Sequence, residues 1–232
     1  MNIKNRMTVF IRMVLGFAIV LCFGCSKEDS INLPTVKDVD GNAYHIITIG
    51  TQTWMVENLA TSKYADGTNI PLVSEKTAWS KLSTPGYCKG TFGSLYNWYT
   101  VNTGKLAPTG WHVPTDTEWT TLRNYVNAHL GTSSSVAKAI AANTVWPTNN
   151  TIGAIGNDLT KNNSSGFNAL PGGFRDDDGS FYGIGYMGLW WCSTQDYRNV
   201  NAQNIFISSS DTDLPITTNP KSRGMAIRCI KD

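Results

Sequence analysis

The chain has 232 residues, of which 41% are hydrophobic, 11% aromatic and only 16% charged, with 19 basic against 17 acidic side chains. So even a balance lacks the clustered basic surface that nucleic acid demands, and no nucleic-acid partner is expected. The length suits one domain of ordinary or slightly large size, able to bury a core without depending on disulfides.

The first segment has the features of an export signal. Lys4, Arg6 and Arg12 precede or border the apolar run Met13–Phe23, and no acid occurs before Glu28. A basic start and an apolar stretch too short to span a bilayer comfortably read as a signal peptide. Gly24 then precedes Cys25, which resembles a lipobox, with Cys22 and Phe23 where that pattern usually has Leu and a small residue. Residues 1–24 are therefore expected to be removed, leaving Cys25 as the lipidated N-terminus. The mature chain would carry 16 basic and 17 acidic side chains, a net charge of −1. Residues 25–35 read as a polar tether and residues 36–232 as one domain. Within the tether, Lys27-Glu28-Asp29 resembles the acidic export signal of some Bacteroidetes lipoproteins. The expectation is an outer-membrane lipoprotein, surface-exposed and held to the membrane through its N-terminal lipid.

Folding signals begin with the turn-forming Asp38-Val-Asp-Gly-Asn42. A hairpin is predicted over Ala43–Ile49 and Thr53–Val56, joined through Gly50-Thr51-Gln52. Residues 60–110 show little periodicity and many turn formers. Thr115-Asp-Thr-Glu118 is a capping box. Trp119, Leu122, Val126 and Leu130 behind it form an apolar stripe, and Gly131 is placed to end the helix. A shorter helix is predicted over Val136–Ala142. Strands are expected at Leu189–Ser193, Ala202–Ser208 and Met225–Ile230. Strands, then helices, then strands give an α+β domain with a small antiparallel sheet.

Several segments resemble a known family: Gln52–Leu59, Tyr96-Asn-Trp98, Gly110–Trp119, Gly166–Gly173, Asp178-Gly-Ser-Phe181, Leu189-Trp-Trp-Cys-Ser193 and Met225–Cys229. In this order they are similar to the signature blocks of the Fibrobacter succinogenes major paralogous domain family. The stretch Gly110–Trp119 is also similar to a motif of the formylglycine-generating enzyme family. Through that, the resemblance implies a C-type lectin-like fold, a small twisted antiparallel sheet with two helices and long irregular loops. It further implies that the strands bearing Cys192 and Cys229 share one sheet, so that these thiols form a disulfide while Cys88 stays free.

The chemistry-bearing patterns are few. Gly183-Ile-Gly-Tyr-Met-Gly188 fits G-x-G-x-x-G, but a strand is expected after it instead of the helix a dinucleotide needs. His45, His112 and His129 lack zinc-ligand spacing. Asp176-Asp-Asp-Gly-Ser180 sets hard oxygens in a glycine turn. Asp176 and Asp178 are the candidate calcium ligands, and a solvated acidic turn is the plain alternative. No catalytic residues and no cofactor other than calcium are expected. The loops of residues 60–110 and 143–185 offer a recognition surface. The reading is a non-catalytic binding or interaction module for a glycan or protein ligand; the alternative is a divergent oxidase of the formylglycine-generating type.

Overall fold

The computed structural model describes residues 33–130 and 135–232, and residues 33–232 group as one compact unit. The expected signal segment, Cys25 and Gly131 lie outside the described residues. Strand β1 (Thr35–Lys37) starts on the final residue assigned above to the tether. Asp38 turns the chain: its Oδ1 accepts from the amides of Asp40 and Asn42, and its Oδ2 from the Tyr44 hydroxyl at 2.6 Å. Strands β2 (Ala43–Ile49) and β3 (Gln52–Met55) form the expected hairpin, with Ile49 opposite Gln52. Its turn sits under α3 (Asp116–His129). A Cβ on Gly50, where φ is +64°, would lie 2.7 Å from the Tyr125 ring.

Residues 60–110 contain structure the sequence did not announce: α1 (Lys76–Trp79), the hairpin β4 (Tyr87–Gly90) and β5 (Gly93–Tyr96), and α2 (Trp98–Val101). None exceeds four residues, too few for a repeat of either period to show. Beyond β6 (Trp111–His112), helix α3 carries the full capping box and buries Trp119, Leu122 and Val126. Helix α4 (Val136–Ile140) stops before the expected Ala142. There Ala141 turns extended, with ψ of 144°, and the Ala142 amide donates to the Ala169 carbonyl. The remaining strands are β7 (Phe174–Arg175), β8 (Phe181–Tyr182), β9 (Met187–Gln195), β10 (Asn201–Ser208), β11 (Ile216–Pro220) and β12 (Ile230–Lys231).

Every pairing between these strands is antiparallel. The largest sheet has the order β1-β2-β3-β12-β6; a second has the order β11-β10-β9, and the β4-β5 and β7-β8 hairpins stand apart. Among the described residues, four α-helices against antiparallel sheets make this an α+β domain, as expected. No helix among the described residues is long and apolar enough to cross a membrane.

Strand β9 is buried on both faces, and its period of two sorts it between two apolar clusters. Trp190 and Cys192 face the cluster of Trp54, Trp119, Phe167 and the helices; Leu189 and Trp191 face that of Tyr96, Trp98, Met225 and Ile227. In the first cluster, the Trp54 and Trp119 ring centroids are 4.9 Å apart, and Phe167 meets both at 5.6 Å. The predicted strand Met225–Ile230 is largely replaced by a threaded segment. Its backbone bonds go in turn to Tyr96, Leu189, Trp191, Leu59 and Met55, so no single ladder forms before Ile230.

This arrangement overturns the expected disulfide. Cys88, Cys192 and Cys229 are all free and buried. Cys192 is buried in the first cluster and Cys229 in the second. Burial pushes all three thiols up, keeping them protonated. Two buried arginines hold distant segments together instead. Arg175 donates to the carbonyls of Val73, Ser74 and Gly179 and lies over the Trp79 ring at 4.6 Å. Arg228 donates to Asn58 Oδ1 and to the Phe167 and Met55 carbonyls, with the Phe167 ring 4.5 Å away.

Candidate functional site

A cleft of about 500 Å³ opens between the β7–β8 hairpin and the β9–β11 sheet, within the size range of small-molecule sites. Phe174, Tyr182, Met187, Leu189 and Phe206 supply its apolar wall, and Asp176, Asn219 and Arg223 its polar one. Two glycines shape it. Gly173, at φ +65°, lets β7 approach the backbone after β8, where a Cβ would fall 2.3 Å from the Tyr182 carbonyl oxygen. Gly183, at φ +69°, turns the chain from β8 into β9. The G-x-G-x-x-G sequence is thus a turn leading into a strand, with no helix dipole for a pyrophosphate.

The aromatic side of the cleft reaches solvent. Phe174 and Tyr182 pack at 5.9 Å between centroids, and Tyr182 is 48% exposed. Phe181, Ile184 and Tyr186 are exposed beside it. A solvent-facing group of large apolar residues on one short turn has a cost in water.

The polar side is built from the buried layer outward. Asn204, fully buried on β10, accepts from Asn219 Nδ2 at 2.7 Å and from Thr217 at 3.1 Å. Asn219, so fixed, accepts from Arg223 Nη1, whose Nε donates to Asp176 Oδ1 at 2.6 Å. The guanidinium also lies 5.2 Å from the Phe174 ring centroid. Among the described residues, Asp176 Oδ2 and Arg223 Nη2 have no hydrogen-bond partner. An acceptor and a donor on two residues of the cleft wall are therefore held in place without a protein partner.

The expected calcium ligands do not converge. Asp176 faces Arg223, whereas Asp178 accepts from the Ser180 amide at 2.7 Å and hydroxyl at 3.0 Å and lies 3.5 Å from Lys76 Nζ. Among the described residues no group of three or more His, Cys, Asp or Glu side chains is arranged to hold a metal ion. Asp176 reappears as a cleft wall, a role the acidic run did not suggest. Tyr182 and Phe181 fall within the recognition loops expected from sequence. Asn219 and Arg223 do not: the register of β11 against β10 places Asn219 here, and the turn that follows β11 brings in Arg223.

His112 occupies a different kind of site. Its Nδ1 lies 2.7 Å from Asp232 Oδ1 and its Nε2 2.8 Å from Glu118 Oε1. Burial works against its charge, but the two carboxylates outweigh that and raise its pKa. With both ring nitrogens engaged, it clasps β12 to the start of α3 and leaves neither free as a general base. A second depression, of about 350 Å³ near Tyr44, Asn58 and Phe92, has its polar groups turned inward. Asn58 is bound to Arg228, Trp190 and Phe92, and the Tyr44 hydroxyl to Asp38 and Ala60.

The profile of the Fibrobacter succinogenes major domain matches residues 47–231. The chain belongs to that family. The match runs from within β2 into β12, so the Fibrobacter succinogenes major domain takes in the cleft, the threaded segment and both buried arginines. No curated protein and no solved structure matches the chain.

Proposed function

We propose that this chain is a non-catalytic binding module of an exported lipoprotein, anchored through Cys25, displayed at the outer surface of the outer membrane, and taking its ligand in the cleft beside Tyr182. One observation carries the reading: a half-exposed ring stands next to an acceptor and a donor that the protein positions and leaves open, Asp176 Oδ2 and Arg223 Nη2. A stability role would have satisfied those atoms internally, as at Asn58. Against the oxidase alternative, Cys192 and Cys229 lie in different clusters and are held as neutral thiols. The same reading takes the fold as C-type lectin-like. In support, β12 pairs beside the β2–β3 hairpin, bringing segments far apart in sequence into one sheet.

The test is a paired array experiment. The full chain in detergent and its Tyr182→Ala variant are applied to glycan and protein arrays. Signals from the parent that disappear in the variant are expected. Arrays with no signal that depends on Tyr182 would remove the cleft as the site.

A further inference from the structure

Resting on that reading of the cleft, we infer that its occupant is a neutral carbohydrate, with one pyranose ring lying against Tyr182 and its hydroxyls bonded to Asp176 and Arg223. A pyranose has two chemically distinct surfaces. Its C–H face is apolar and flat enough to pack on an aromatic ring through dispersion and the ring quadrupole. Its rim carries hydroxyls that donate and accept in adjacent pairs. The cleft presents the complement of each: an exposed Tyr182 ring braced by Phe174, and an open acceptor beside an open donor.

Charge narrows the class. The cleft is lined by one acid and one base, and these are paired with each other at 2.6 Å. A phosphate, sulfate or uronate would have to compete with Asp176 for Arg223, and a cation would have to displace Arg223 from Asp176. Neither gains from a site already neutral, whereas a hydroxyl pair accepts from Arg223 Nη2 and donates to Asp176 Oδ2 without disturbing the ion pair. The support is rigid, because Asn204, Asn219 and Arg223 form a chain of hydrogen bonds from the core, so little ordering is needed on binding.

The probes are four neutral oligosaccharides, cellohexaose, xylohexaose, mannohexaose and laminarihexaose, with polygalacturonate as an anionic comparison. Binding to the full chain in detergent is followed by saturation-transfer NMR and titration calorimetry. At least one neutral oligosaccharide should bind, and its affinity should fall by about tenfold, the scale of one lost stacking contact, in Tyr182→Ala. Asp176→Asn should weaken it comparably, and Tyr197→Ala, at an exposed tyrosine outside the cleft, should leave it unchanged. Melting curves check that each variant is folded. Binding of polygalacturonate alone, or neutral binding indifferent to Tyr182, would overturn the inference. A protein ligand that is lost in Tyr182→Ala while no sugar binds would also overturn it but leave the binding-module reading standing. No Tyr182-dependent ligand of any class would end both.

Discussion

Asn58 Oδ1 accepts from Arg228 through both Nε, at 3.2 Å, and Nη2, at 2.9 Å, and from the Trp190 indole at 2.8 Å. One oxygen thus accepts from two fully buried side chains on neighbouring segments, where Trp190 pairs with Ala226. Asn58→Leu should destabilise the protein by about 3–5 kcal/mol in urea titrations, since it leaves Arg228 Nε and Nη2 and the Trp190 indole buried without that acceptor. Asn58→Asp keeps the acceptor and should cost clearly less. Equal losses in the two variants would show that the site needs only volume.

The capping box gives a graded pair. Thr115 Oγ1 accepts from the Glu118 amide at 3.2 Å, and Glu118 returns a bond to the Thr115 amide at 2.8 Å. Thr115→Ala should cost about 1 kcal/mol. Trp119, buried against Trp54, Phe167 and Trp190, should cost about 3–5 kcal/mol when cut to Ala. Denaturant titrations finding the two variants equally stable would contradict this packing.

His112 makes stability depend on pH with a definite sign. It holds its proton more tightly folded than unfolded, so its contribution is complete below about pH 6.5 and fades as pH rises through the raised folded value. Because the ring is 39% exposed, solvent screens the pair and the contribution stays under about 1 kcal/mol. His112→Gln should therefore lower the melting temperature at pH 6 and match the parent at pH 9. A deficit that is the same at both values would refute the clasp.

The free thiols are directly measurable. Iodoacetamide should leave Cys88, Cys192 and Cys229 unmodified in the native protein and alkylate all three in urea without any reductant. A mass two hydrogens short in the non-reduced protein would reveal a bridge.

The proposed anchoring rests on one sulfur, that of Cys25. Cys25→Ala should abolish incorporation of a palmitate analogue during growth, and replacing Lys27, Glu28 and Asp29 by Ala should reduce protease access to the protein on intact cells. Unchanged labelling in the first variant, or unchanged access in the second, would remove the corresponding part of the export reading.

What could be read from sequence were the features written in neighbouring residues. The capping box needs four positions and the β2–β3 hairpin one glycine turn, and both formed close to where they were expected. Strand β9 was legible as an apolar run because both of its faces are buried. Yet the run could not say that Cys192 is buried in one cluster and Cys229 in the other, since that follows from the layering of the two. Segment Met225–Cys229 has the composition of a strand but spends its hydrogen bonds on several partners. The polar wall of the cleft was hidden for the same reason: Asp176 and Arg223 are 47 positions apart and meet only through tertiary packing.

The position of β12 between β3 and β6 has a kinetic consequence. Until residues 225–231 arrive, β3 is paired on one side only, through β2, β6 has no strand beside it, and Asn58 has no guanidinium to hold. Contacts of such long sequence separation make for slow closure. A chain assembled this way keeps its largest sheet incomplete until β12 takes its place between β3 and β6.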